Sequence, residues 1–146
     1  MTGHKVLIVD DDREIAQAIG IYLEREGIGT ALCYDGEAAV ERLREEEFHL
    51  VIMDIMMPKL DGIAATLRIR KDHRLPILFL SAKSEDADRI FGLNMGADDY
   101  ITKPFHPLEL IARVKSHLRR YTDLGGLQKG GDVISTGSLS LDADAN

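Results

Sequence analysis

The chain has 146 residues, 45 % of them hydrophobic, which is enough for one packed core and too many for a disordered chain. Its 18 Lys and Arg against 25 Asp and Glu give a formal charge of −7, which argues against a nucleic-acid surface here and suits a domain that holds cations or meets a basic partner. A single cysteine, Cys33, excludes an internal disulfide and fits a reducing cytoplasm.

Taken in order, Lys5 to Val9 is an apolar run that ends in Asp10-Asp11-Asp12 and reads as a strand and a turn. From Arg13 the pattern turns helical, with Ile15, Ala18, Ile19, Tyr22 and Leu23 on one face and Gly27 as the stop. Thr30 to Tyr34 is a second strand; Cys33 within it reads as a small buried hydrophobe. Asp35-Gly36 turns the chain into a helix over Glu37 to Glu46, whose Glu45-Glu46-Glu47 end is most simply solvated. Leu50 to Asp54 is so apolar that it predicts a strand buried on both faces of a parallel sheet. Pro58 and Asp61-Gly62 mark a turn, Ile63 to Arg70 a helix, and Lys71 to Arg74 a polar loop. Ile77 to Leu80 is a strand ending at Ser81, and a helix opens at Ser84 with Asp86 and closes at Gly96. Asp99 to Thr102 is a short strand ending at Lys103-Pro104, and His106 to Arg120 is a helix with Leu108, Ile111, Ala112, Val114 and Leu118 along one face.

Strand and helix thus alternate five times, the signature of an α/β fold with a parallel sheet wrapped on both faces, a doubly wound (βα)5 architecture. After Tyr121 the composition changes. Thr122 to Gly131 is polar and Gly-rich and reads as a linker, and Val133 to Asp142 alternates weakly, like the first strand of a further domain. The expected division is therefore 1–121 for the main domain and 122–146 for the linker plus that strand.

In a parallel sheet all carboxyl ends of strands point the same way, and open α/β sheets bind ligands there. Asp10, Asp11, Asp54, Ser81 and Lys103 all stand at such ends. A lone strand-end Asp is usually a helix cap or a turn residue, and Asp12 reads as a cap; a lone Ser or Lys is usually solvated. The set together points to a site. Three close carboxylates raise each other's pKa values unless a cation sits among them, and hard oxygen ligands suit Mg²⁺. An ionised Asp beside Mg²⁺ and a fixed Lys is placed for phosphoryl transfer, with both cations neutralising the phosphoryl oxygens as charge develops.

Leu7-Ile8-Val9-Asp10-Asp11, Met53-Asp54-Ile55-Met56-Met57-Pro58 with Asp61-Gly62, Ser81-Ala82, and Asp98-Asp99-Tyr100-Ile101-Thr102-Lys103-Pro104-Phe105 resemble the receiver domain of two-component response regulators over residues 5 to 121. The resemblance implies a flavodoxin-like sheet of strand order 2-1-3-4-5. It implies that Asp54 accepts a phosphoryl group from a sensor histidine kinase. Asp11 and Asp54 would bind Mg²⁺ directly with the backbone carbonyl of Met56, and Asp10 through water. Lys103 would pair with the phosphoryl group, Ser81 would turn its hydroxyl to it, and Tyr100 would swing inward behind Ser81. The Lys103-Pro104 bond is expected to be cis. Ser81 stands where many members have Thr, and the segment from Gly62 to Pro76 looks short for the family.

Gly96 to Tyr100, Pro107 to Val114 and Arg119-Arg120 further resemble the OmpR/PhoB type, and Pro107 to Tyr121 resembles regulators of the VanR type, which answer glycopeptide antibiotics. That likeness implies a homodimer formed on phosphorylation through the fourth helix, fifth strand and fifth helix, with Arg89 meeting Glu109, Asp99 meeting Arg113, and Asp98 meeting Arg120. Against it stands ordinary surface charge, where an exposed pair contributes about 0–1 kcal/mol. It also implies a cytoplasmic transcription regulator that reaches DNA through a winged-helix domain beyond this sequence, and no membrane contact.

Other readings fit less well. A Mg²⁺-dependent aspartyl-phosphate hydrolase carries its nucleophile on the first strand with a second Asp two residues on, and needs a cap. A single-domain phosphorelay carrier leaves the stretch after Tyr121 unexplained. A flavin-binding carrier needs a Ser/Thr/Gly-rich phosphate loop where this chain has Asp10-Asp11-Asp12. A receiver that dimerises without phosphorylation would not need the full acceptor set.

Overall fold

The computed structural model describes residues 3–57, 59–82 and 97–129, with side chains left out at 82 and 123–129. Five parallel strands, β1 (Lys5–Val9), β2 (Gly29–Cys33), β3 (Leu50–Asp54), β4 (Ile77–Ala82) and β5 (Asp99–Lys103), form one sheet in the order β2-β1-β3-β4-β5, as expected. Helices α1 (Arg13–Glu24), α2 (Gly36–Glu45), α3 (Gly62–Arg70) and a long helix (Pro107–Lys129) complete the described elements. The helix expected over 84–96 and the strand expected over 133–142 lie outside the described residues.

Successive strand residues point to opposite faces, and this chain uses the alternation to build two cores. Leu7, Val9, Val51, Met53, Ile77 and Phe79 pack beneath α2 and α3 with Ala39, Leu43, Ala65 and Ile69. Val6, Ile8, Leu50, Ile52, Leu78 and Leu80 pack with Ala16, Ile19 and Leu23 of α1 and Leu110, Val114 and Leu118 of the long helix. The central β3 is buried at all five positions, which is why its sequence is a near-continuous apolar run.

Local chemistry starts and stops the helices. Asp12 caps α1 by accepting from the amides of Glu14 and Ile15, Asp35 caps α2 through Ala38, and Asp61 caps α3 through Ala64. Gly27 takes a left-handed backbone, φ 79°, just past α1, and the next amide, Ile28, returns to the carbonyl of Leu23. Helix α3 is nine residues long, consistent with the short segment before Pro76.

One expectation is corrected. The long helix does not end at Arg120 but runs through Lys129, so most of the stretch read as a flexible linker has helical backbone. Glycine weakens a helix by about 1 kcal/mol relative to Ala but keeps its N–H, so Gly125 and Gly126 do not stop it as proline would. Tyr121 packs on the core beneath α2 and α3, and Thr122 Oγ1 lies 2.7 Å from His4 Nε2, so the helix is held past the point where its composition changes.

Candidate functional site

The chain leaves β1 for β2 on one side and returns to β3 on the other, so a crevice opens where β1 and β3 end. Into it come Asp10 and Asp11 from the end of β1 and Asp54 from the end of β3. One carboxylate oxygen of each lies within 4.8 Å of the others; Asp10 and Asp54 are buried and Asp11 is exposed. Asp10 Oδ1 is tied down by the Asp12 amide at 2.9 Å. Its Oδ2 pairs with Lys103 Nζ at 3.0 Å. That one ammonium is shared with Asp54, so the buried carboxylates are only partly compensated within the chain.

Lys103 enters from the end of β5 after a cis bond to Pro104 forms the next turn, as expected. Its Nζ also stands 3.4 Å from Asp54 Oδ1. Burial works against the lysine charge, but contact with Asp10 and Asp54 more than offsets it and holds the pKa above the ordinary value. Asp54 goes the other way. Burial first, then the charge of Asp10, pushes its carboxyl from 3.8 up to about 7, with Lys103 pulling it back down and Asp11 pushing further up. One lysine therefore does not neutralise three carboxylates. The donor set, all oxygen and two positive charges short when ionised, fits a hard divalent cation such as Mg²⁺.

Ser81 is fully buried on β4, one residue past Leu80, the register partner of Asp54. It pairs in register with Thr102, next to Lys103. Tyr100 sits half-buried opposite Phe79 and packs on the core beneath α2 and α3. Met56 follows Asp54 in the loop and is 57 % exposed, so its side chain flanks the pocket rather than filling the core.

That loop is held tightly. Ile55 donates to the Leu80 carbonyl at 3.0 Å and accepts from the Gly62 amide at 2.9 Å. A Cβ on Gly62 would lie 2.3 Å from the Asp54 carbonyl oxygen, so only glycine lets α3 start against Asp54. Read from sequence, Gly62 was a turn residue; its steric role shows only in three dimensions.

The residues expected at a dimer face are neighbours within one chain. Asp99 accepts from Arg113 at 2.8 Å and from its own successor Tyr100 at 2.8 Å, and faces His117 Nε2 at 3.0 Å. Burial works against the Asp99 charge, but His117, the Tyr100 amide and Arg113 hold its pKa below the ordinary carboxylate range. Arg113 also reaches Glu109 at 3.2 Å. Asp98 pairs with Arg70 at 2.8 Å and takes the Ile77 amide at 2.9 Å, tying the end of α3 to the start of β4. Arg120 lies 3.5 Å from Ser116, and Arg89 lies outside the described residues. The sequence pattern named Asp98, Asp99 and Arg113 but missed Arg70, which stands 28 residues before Asp98, and His117, one helical turn past Arg113; neither carries a motif.

The model of the response regulator receiver domain matches residues 6–115. The chain belongs to the response regulator receiver family. It is 48 % identical over 119 residues to the regulatory protein VanRc of Enterococcus gallinarum, covering 82 % of this chain and 52 % of that protein. It is 46 % identical over 130 residues to the regulatory protein VanR of Enterococcus faecium, covering 89 % and 56 %. The receiver therefore resembles the VanR and OmpR/PhoB types, and this chain spans about half the length of those relatives. Among solved structures it superposes on the receiver domain of the Francisella response regulator 1452 with a TM-score of 0.76 at 40 % identity, covering 81 % of this chain and 98 % of that one. Receivers of this family generally bind Mg²⁺ at an acidic pocket, and the Asp10, Asp11 and Asp54 cluster is such a pocket. No helix among the described residues is long and apolar enough to cross a membrane.

Proposed function

We propose that this receiver takes a phosphoryl group onto Asp54 from the phosphohistidine of a sensor histidine kinase. The observation that carries the reading is the Asp54 carboxyl itself, at the β1–β3 crevice, pushed up to about 7 by burial and Asp10, with Lys103 3.4 Å away. Asp54 is the nucleophile. Its carboxylate oxygen forms the new O–P bond as the N–P bond breaks, and the nitrogen keeps the electron pair and takes a proton. Lys103 holds the phosphoryl oxygens by charge, and the Ser81 hydroxyl turns to one of them. Asp11, Asp54 and the Met56 carbonyl would hold Mg²⁺ directly and Asp10 through water; when bound, the ion supplies the charge neutralisation that three carboxylates and one lysine lack. The only reactions in this reading are the receiver's own phosphorylation and the hydrolysis of its acyl phosphate.

The output follows from the same site. Phosphorylation is a local charge event, and Ser81 on β4 and Tyr100 on β5 would pass it to the face expected to use Asp98, Asp99, Glu109, Arg113, Arg120 and Arg89. That face would then form a two-fold homodimer by exchanging the internal pairs of Asp99 and Arg113 for equivalent ones across the axis. Exchanging one set of ion pairs for an equivalent set changes little in itself, so phosphorylation can set the balance. Residues 1–121 would be the receiver and 122–146 the connection to a winged-helix DNA-binding domain, in a cytoplasmic transcription regulator. That the matched stretch covers only 52 % and 56 % of the two VanR relatives supports that arrangement.

The test is the mass of the intact protein after incubation with acetyl phosphate and Mg²⁺, beside a Mg²⁺-free sample and Asp54→Asn. One phosphoryl group, metal-dependent and absent from the variant, is expected, with a shift toward dimer on sizing. Label that persists in Asp54→Asn moves the nucleophile elsewhere.

A further inference from the structure

Helices α2 and α3 both begin with Asp-Gly, Asp35-Gly36 and Asp61-Gly62, and in both the aspartate caps the helix. Gly62 is explained by its contact with the Asp54 backbone. Gly36 is on another helix and touches none of the site carboxylates. It is buried, and it begins α2. A Cβ there would lie 2.5 Å from the Leu60 carbonyl oxygen, 3.1 Å from Ala65 Cβ and 3.3 Å from Leu60 Cβ. The first of these is backbone, which cannot swing aside as a side-chain tip can. The start of α2 therefore rests on the backbone of the loop that leaves Asp54.

That loop has little slack elsewhere. It is pinned at Ile55 by Leu80 and Gly62, and Asp61 is held as the cap of α3. Lys59 takes a positive φ of 65°, a conformation rare for a residue with a side chain. Leu60, between Lys59 and Asp61, is where the outer part of the loop meets the start of α2.

We propose that Gly36 is a positioning residue for the divalent cation: by letting α2 seat directly on the Leu60 carbonyl, it fixes the loop whose Met56 carbonyl would hold the metal. The inference rests on the Mg²⁺-dependent acceptor reading above and deepens it. An alanine at 36 must push Leu60 back by on the order of half an ångström or more to reach ordinary contact distance. Mg²⁺ demands near-octahedral ligands at about 2.0–2.1 Å, whereas Ca²⁺ accepts looser geometry at about 2.3–2.6 Å. A displaced loop should therefore harm binding of the smaller ion selectively, while general loosening of the fold should weaken both ions together.

The experiment is calorimetric titration of MgCl2 and, separately, CaCl2 into the whole chain, its Gly36→Ala and Leu60→Gly variants, and Glu37→Gly, which weakens α2 at an exposed position without touching the loop. Circular dichroism checks folding at the titration temperature. Gly36→Ala is expected to lose fivefold or more in Mg²⁺ affinity and less than twofold in Ca²⁺ affinity, with Glu37→Gly unchanged for both. Leu60→Gly keeps the carbonyl but removes the Cβ that also lies against Gly36, so it loosens the seat without overfilling it and should show the same selective loss; it decides the matter if Gly36→Ala does not fold. Mg²⁺ affinity within twofold of the parent in a folded variant overturns the proposal, as does a parallel loss for both ions. A parent that binds no Mg²⁺ overturns the acceptor reading itself, and this proposal with it.

Discussion

Two clusters of aspartate on the same sheet are treated in opposite ways. At the β1–β3 crevice Asp10 and Asp54 are buried and share one lysine, Asp11 adds a third carboxylate, and the Asp54 carboxyl is pushed up to about 7. On β5, Asp99 has Arg113, His117 and a backbone amide around it, and its pKa is held down. Both have cations within reach, so the number of positive charges near an aspartate does not by itself mark function. The difference is whether the charge of each cluster is compensated within the chain. Asp99 is complete as the protein stands, while the crevice is arranged for charge that must come from outside.

The largest consequence falls on Asp54. Its folded pKa is raised above the unfolded value, so its contribution to stability is full below about 3.8 and is lost as pH rises toward about 7. Asp54→Asn removes that cost. In metal-free buffer at pH 8 the variant should be more stable than the parent, by on the order of 2–4 kcal/mol in urea unfolding. The advantage should shrink steadily below pH 7 and should also shrink when Mg²⁺ is added to the parent. A variant no more stable than the parent at pH 8 would mean the carboxylates of the crevice do not repel one another.

The same proton couples to the metal. With Asp54 half-protonated near pH 7, cation binding must displace a proton at lower pH, so Mg²⁺ affinity should fall about tenfold per unit below pH 7 and level off above it. Between pH 7.5 and 5.5 that is roughly a 30-fold loss, about 2 kcal/mol. Calorimetry in two buffers of different ionisation enthalpy would show the released proton directly. A flat profile would assign the raised carboxyl no part in binding.

Asp99 should behave in the reverse sense. Asp99→Asn removes charge-assisted bonds to Arg113 and His117 and should cost about 1–3 kcal/mol at pH 7. Because its folded pKa is depressed, the stabilisation is present above about 3.8 and is lost as pH falls through the lower folded value. The deficit of the variant should therefore close only under strongly acid conditions, below the range in which Asp54 titrates. A deficit that closes already at pH 6 would mean that the Asp99 carboxyl is not held below the ordinary carboxylate range.

The crevice was legible in the sequence because a parallel sheet turns chain order into spatial order. Once Asp10, Asp54, Ser81 and Lys103 were assigned to strand ends, their meeting followed from topology, and the buried β3 run with one carboxylate at its end marked the centre. The β5 cluster was only half legible. Asp98 and Asp99 stood out, but Arg70 comes from the end of α3 and His117 from the middle of a helix, and packing alone brings them in. The steric roles of Gly36 and Gly62 were invisible for a similar reason: an Asp-Gly pair signals a turn or cap, and nothing local says which backbone will press against the glycine. The end of the long helix was misplaced because composition was read as conformation; Tyr121 and Thr122 are held by residues at the other end of the chain, and the helix continues beyond them.

The smallest expected effect sharpens the contrast. Arg44 and Glu41 form a pair at 3.1 Å on the outer face of α2, three residues apart, with side chains 60 % and 65 % exposed. The length matches the Arg113–Asp99 contact within a few tenths of an ångström, and the chemistry is the same. Water, however, solvates both groups about as well apart as together, and holding two long side chains in one geometry costs entropy. Arg44→Ala should therefore change unfolding stability by less than about 0.5 kcal/mol, and salt should erase what remains. The comparison with Asp99→Asn at equal ionic strength isolates burial as the variable. If Arg44→Ala cost as much as Asp99→Asn, the stability of the β5 cluster would owe nothing to its seclusion, and the distinction between satisfied and unsatisfied aspartates would lose its energetic basis.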